Sequence, residues 1–114
     1  MKVLYSPKMV ADSGSFSPSA SKPEWVVQAW RESGLPIELV EPQAVTREQL
    51  ALAHDRAFVD GVLDGRIANG FGNRSAAVAA SLPYTSGAML SAARAAIDGA
   101  RTDGPFAAVA AAPC

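Results

Sequence analysis

An α/β layered fold with parallel strands is what the order of elements predicts. Short β-prone runs stand at Val3–Tyr5 and Ile37–Val40, with a capped helical stretch between them. Further helical stretches follow, and an unbroken apolar run, Phe106–Ala112, comes last. Strand, helix, strand, helices, strand is the alternation that parallel strands joined by right-handed crossovers produce.

Lys2-Val3-Leu4-Tyr5 reads as a strand stopped by Ser6-Pro7. From Asp12 to Ser21 the chain is rich in Ser, Gly and Pro, a loop long enough to be functional in a compact domain. Ser21 and Glu24 have the spacing of a capping box; Val26, Ala29 and Trp30 follow at helical intervals, and Gly34 supplies the left-handed stop. After the Ile37–Val40 strand, Thr46-Arg47-Glu48-Gln49 is a second capping box. A helical stretch from Asp55 to Leu63 pairs Phe58 with Val62 and Val59 with Leu63, and ends at Gly65. Asn69-Gly70-Phe71-Gly72-Asn73 is a turn with two glycines available for positive φ. The clearest helix is Ser86–Asp98, with Thr85 as N-cap, Gly99 as stop and alanines that keep it thin. Phe106–Ala112 reads as a strand buried on both faces.

The 114 residues, 49% of them apolar, predict one domain over 1–114. Ten Lys and Arg oppose eleven Asp and Glu, and the arginines are scattered, so the concentrated positive stripe of a nucleic-acid surface is missing. No apolar run approaches the about 20 residues of a membrane helix, and the N-terminus has no signal-peptide pattern. With Cys114 the one cysteine, no intrachain disulfide forms, and a cytoplasmic protein is expected.

Chemistry-bearing residues are few. His54-Asp55 has the composition of an oriented base, but neighbours on a helix point about 100° apart, and a histidine bonding at a helix junction is the plainer reading. Asp55, Asp60 and Asp64 fit a solvated helix face better than a metal site, which needs three or four suitable donors. Ser81, Ser86 and Ser91 have no second histidine to activate them.

Three segments carry more: His54-Asp55-Arg56-Ala57-Phe58-Val59-Asp60-Gly61-Val62-Leu63, Asn69-Gly70-Phe71-Gly72-Asn73, and Ser81-Leu82-Pro83-Tyr84-Thr85-Ser86-Gly87-Ala88-Met89. Together they resemble the arginase/deacetylase fold, and more narrowly the bacterial branch of the histone deacetylase superfamily that includes the acetylpolyamine amidohydrolases. That family opens with a short strand and shows an H-D-x-x-[YF]-[VL] helix, here His54–Val59. A P-x-T-x-G turn into an alanine-rich helix follows, here Pro83, Thr85 and Gly87. The resemblance implies a three-layer partial fold, a small parallel sheet in the order second, first, third strand, flanked by helices. In family enzymes zinc polarises an acetamide carbonyl of acetyl-lysine or an acetylpolyamine, and a bound water attacks it with help from paired histidines. Those histidines, the zinc ligands and the oxyanion-stabilising tyrosine map onto no residue here; His54 and Tyr84 are not among them.

The expectation is a truncated deacetylase-like chain, the N-terminal portion of such an enzyme, inactive alone, with zinc expected only in full-length relatives. It would contribute the first edge of the sheet and part of a substrate-channel rim at Phe16, Phe71 and Ser81. His54, Asp55, Pro83, Thr85 and Gly87 form the structural motif. Two positions depart from the family pattern: Trp25 stands where an arginine is common, and Ser81 where many deacetylases hold the substrate backbone with an aspartate. The alternative is a stand-alone, non-enzymatic binding or assembly module that retains half of the fold. Either way, an uncovered strand edge at 106–112 or flank of the 86–98 helix predicts a homo-oligomer.

Overall fold

The computed structural model describes residues 1–103 and 109–110. Its elements are β1 (Lys2–Leu4), α1 (Lys22–Glu32), β2 (Glu38–Val40), α2 (Arg47–Leu50), α3 (Arg56–Leu63), α4 (Ala76–Asp103) and β3 (Val109–Ala110), with a 3-10 turn at Pro7–Met9. β1 runs parallel to β2, with Lys2 opposite Glu38 and Leu4 opposite Val40. It is also parallel to β3, with Val3 opposite Val109, so the order is β2–β1–β3. The chain is thus mixed α/β, with parallel pairing flanked by helices. Of the expected Phe106–Ala112 strand, Val109 and Ala110 are strand; the rest lies outside the described residues.

Successive residues of a strand point to opposite faces, and β1 uses both. Val3 packs with Val27 of α1, joined by Trp30, Ile37 and Leu39. Leu4 packs with Met9 and with Ala88 and Ala92 of α4, joined by Val40 and Tyr84. The alanines are what let α4 lie close to the strand. A third cluster, Ala11, Ala20 and Val78 with Phe71 and Leu82, sits under the serine-rich loop.

Helix ends follow local chemistry in most places. In α1, Gly34 has φ +70°, its N–H reaches Arg31 O at 3.0 Å and that of Leu35 reaches Trp30 O at 3.1 Å, the paired bonds of a Schellman stop. Gly65, with φ +74°, ends α3 in the same way. Both halves of the Thr46–Gln49 capping box form, and Asp55 caps α3 by accepting from Phe58 N–H at 3.0 Å.

Three expectations are corrected. Ser21 is not a capping residue: its backbone is already helical, its own N–H bonds Pro18 O, and its hydroxyl donates to Ala11 O at 3.1 Å. Of the two glycines in Asn69–Asn73, Gly72 alone takes positive φ. The third correction concerns α4, which does not start after Thr85 or stop at Gly99 but runs 28 residues with Pro83 inside it. Its true N-cap is Ser75, whose Oγ accepts from Val78 N–H at 3.3 Å. A proline inside a helix costs about 3 kcal/mol, and the alanine-rich flanks and tertiary contacts of α4 offset it. Thr85 donates its hydroxyl back to Ser81 O at 3.3 Å rather than capping, and Pro83 O accepts Val45 N–H at 3.0 Å from the loop alongside. Gly87 completes this turn of helix: a Cβ built there overlaps the Gln43 carbonyl oxygen and lies 2.9 Å from its carbon. The Pro83, Thr85, Gly87 spacing therefore marks a helix segment against which the 43–45 loop is pressed.

Candidate functional site

Met9 belongs to the turn that leaves the carboxyl end of β1, the end at which open α/β sheets form their ligand crevices. It lines a pocket of about 420 Å³ closed by Ser17 and Ser19 of the serine-rich loop, Phe71, and Val78, Ser81, Leu82 and Thr85 of α4. Phe71 and Ser81 thus both line this pocket. Phe16 does not join them; it is fully exposed and is not among the lining residues.

The hydroxyls of this pocket are held in place. Buried Ser81 donates to Val78 O at 2.7 Å, and the Ser17 and Ser19 hydroxyls sit 2.8 Å apart. An apolar floor with fixed hydroxyls and an aromatic wall orients a small neutral group. Among the described residues that line it none is ionisable.

Asn73 fixes the wall that carries Phe71. Its Nδ2 donates to Ser13 O at 2.6 Å, while its Oδ1 accepts from Ser75 N–H and from Asn69 Nδ2, both at 3.0 Å. Asn69 in turn accepts from Phe71 N–H at 2.9 Å. Sequence reading missed this hub, because nothing local links Asn73 to a residue 60 positions away. It also missed a polar cluster beyond the strand ends. Buried Ser6 donates to Glu41 at 3.2 Å, Lys8 pairs with Glu41 at 3.1 Å, and the Lys8 ammonium lies 5.4 Å from the Tyr84 ring centroid. The bond from Lys8 holds the Glu41 carboxyl below its ordinary range.

His54 and Asp55 do not act as a pair: the Asp55 carboxylate is spent on the α3 cap, and His54 is exposed beside α4. Asp60 and Asp64 are more than a solvated face. Arg47 bridges them at 2.8 and 2.6 Å, Arg56 joins Asp60 to Glu48 at 2.9 and 3.2 Å, and Arg66 reaches Asp64 at 3.1 Å. Six residues of alternating sign thereby tie α2 to α3. Among the described residues no group of three or more His, Cys, Asp or Glu side chains is placed to hold a metal ion, and no helix is long and apolar enough to cross a membrane.

Hydrogen bonds from Arg47, and for Asp60 also from Arg56, hold both aspartates below the usual carboxylate range. Groups lowered in this way add stability above their unfolded pKa and lose it as pH falls through the folded one. The native chain is therefore expected to lose stability between about pH 7 and about pH 3, and Asp60→Asn to lose less over that interval. Urea midpoints at the two ends test this, and an unchanged pH dependence in Asp60→Asn would count against the network.

Compared with protein-family models, with curated proteins and with solved structures, the chain matches none.

Proposed function

We propose that this chain is the N-terminal portion of a three-layer arginase/deacetylase-type fold, and that it shapes one rim of an acyl-amide pocket without performing the chemistry. The observation that carries the reading is the meeting of Phe71 and Ser81 at one pocket beside the carboxyl end of β1. The sheet order β2–β1–β3 and the packing of Val3 toward α1 and Leu4 toward α4 are consistent with it. On this reading the pocket receives the acetamide end of acetyl-lysine or an acetylpolyamine. Phe71 and Leu82 flank the methyl and methylene carbons, and the Ser81 and Thr85 hydroxyls face the amide. Zinc and the residues that bind it belong to full-length relatives, because one histidine and one cysteine make too few soft donors here.

The purified chain is expected neither to hydrolyse acetyl-lysine peptides nor to hold zinc stoichiometrically. One tightly bound zinc per chain, lost in His54→Ala, would overturn this. Titration with N-acetyl-lysine methylamide is expected to shift the backbone resonances of Phe71, Ser81 and Thr85 first; shifts confined elsewhere sink the rim reading. The alternative, a non-enzymatic assembly module associating through the 106–112 edge or the 86–98 flank of α4, gains support from an apolar groove beside α4 that the described residues leave open.

A further inference from the structure

We infer that the groove that α4 forms with α3 and with the 49–54 segment seats helix α1 of a second copy of this chain. Two open hollows of about 150 and 370 Å³ meet there and share Leu50, His54 and Ser86. Phe58, Val62 and Leu82 line the first; Leu52, Leu90 and Arg94 line the second. Leu52 is 87% and Phe58 47% exposed, so the groove leaves large apolar side chains in water. Its charge is one-sided. No carboxylate is among the described residues that line it, and Arg94 makes no ion pair among the described residues. The matching occupant is an apolar helix face with an acid at one end.

α1 presents an exposed tryptophan and, two turns on, an acid whose one hydrogen bond among the described residues comes from the neutral Gln28. Pro23 and Val27 are buried, which leaves Trp25, Ala29 and Glu32 as the outward stripe at i, i+4 and i+7, with Trp25 56% exposed. An exposed tryptophan is the kind of anchor that dominates interface energies. The spacing fits as well. Trp25 to Glu32 spans about 10.5 Å of helix, and Ser86, on the wall of both hollows, is about 12 Å along α4 from Arg94. With Trp25 over the Phe58 hollow, Glu32 reaches Arg94. A net charge of −1 leaves little repulsion between copies. This inference stands apart from the deacetylase-like reading.

Sedimentation of the full chain across the micromolar range tests it. The mass is expected to rise with concentration. Trp25→Ala and Arg94→Glu should each weaken association at least about tenfold, with unchanged far-UV circular dichroism. Combining Glu32→Arg with Arg94→Glu should restore it to within about threefold. A monomer throughout, as a groove built for another protein's helix would give, overturns the proposal. Association indifferent to Trp25→Ala, as strand-edge pairing would give, overturns it too, and so does failure of the charge-swapped pair to recover.

Discussion

Gly87→Ala is expected to destabilise the fold by about 3 kcal/mol, although helix propensity alone argues the opposite. Inside a helix alanine is favoured over glycine by about 1 kcal/mol, and Gly87 lies well within α4. The new methyl, however, would overlap the Gln43 carbonyl oxygen and come within 3.3 Å of Ala44 Cα. Those are backbone atoms, so no rotamer change relieves the overlap. Either the 43–45 loop lifts from α4, losing the bond from Val45 N–H to Pro83 O, or α4 moves away from Leu4 and Met9 with Ala88 on it. A loss of that size is a large part of the ~5–15 kcal/mol that holds a domain together. Gly70→Ala is the control, since nothing lies within 4 Å of a Cβ there and its φ is not positive. Urea unfolding should separate the two variants clearly. Equal stability of Gly87→Ala and the native chain would mean that the loop does not press on α4.

The contrast between Gly87 and Gly34 shows which parts of this fold the sequence carries. Gly34, Gly65, Thr46 and Asp55 act through bonds to residues within a turn of themselves, and each is readable from its neighbours. Pro83 and Ser21 look equally readable and mislead. Pro83 reads as a boundary because proline cannot donate, yet Ser75 caps the helix upstream and the 43–45 loop packs along it. Ser21 has the spacing of a cap, but the turn from Pro18 delivers it already helical, and Ala11 takes its hydroxyl. In both cases a contact from a distant segment decides. The charges of α3 follow the same division. The i, i+4 pair of Arg56 and Asp60 is visible in the sequence, whereas the bridge from Arg47 depends on how α2 folds back.

The candidate pocket is less legible still. Phe71 and Ser81 entered through a resemblance, Phe16 entered with them and stands apart, Ser17 and Ser19 were legible only as members of a serine-rich loop, and Met9 carried no signal. Hydroxyls and apolar walls gather there because the serine-rich loop folds over Val78. The sequence has no periodicity that reports such a closure.

That closure depends on Asn73, and Asn73→Ala is expected to cost about 2–3 kcal/mol and to loosen the pocket before the rest of the chain. Three side-chain bonds are lost at once. The Ser13 carbonyl loses its donor, the Ser75 N–H at the start of α4 loses its acceptor, and the side-chain N–H of Asn69, a residue only 8% exposed, loses its acceptor. Two amide reporters frame the test. Ala11 N–H, bonded to Ala20 O beneath the serine-rich loop, should exchange much faster in the variant. Tyr5 N–H, bonded to Val40 O in the sheet, should change only as far as global stability falls. Asn73→Asp sharpens the reading, because it keeps an acceptor for Ser75 N–H, where negative charge near a helix N-terminus is favourable. It removes only the donor to Ser13. If the donor bond is what ties the loop down, Asn73→Asp should free Ala11 nearly as much as alanine does while losing less global stability. If Ala11 exchanges at the native rate in both variants, the serine-rich loop is held by its own serine bonds, and Asn73 serves α4 alone.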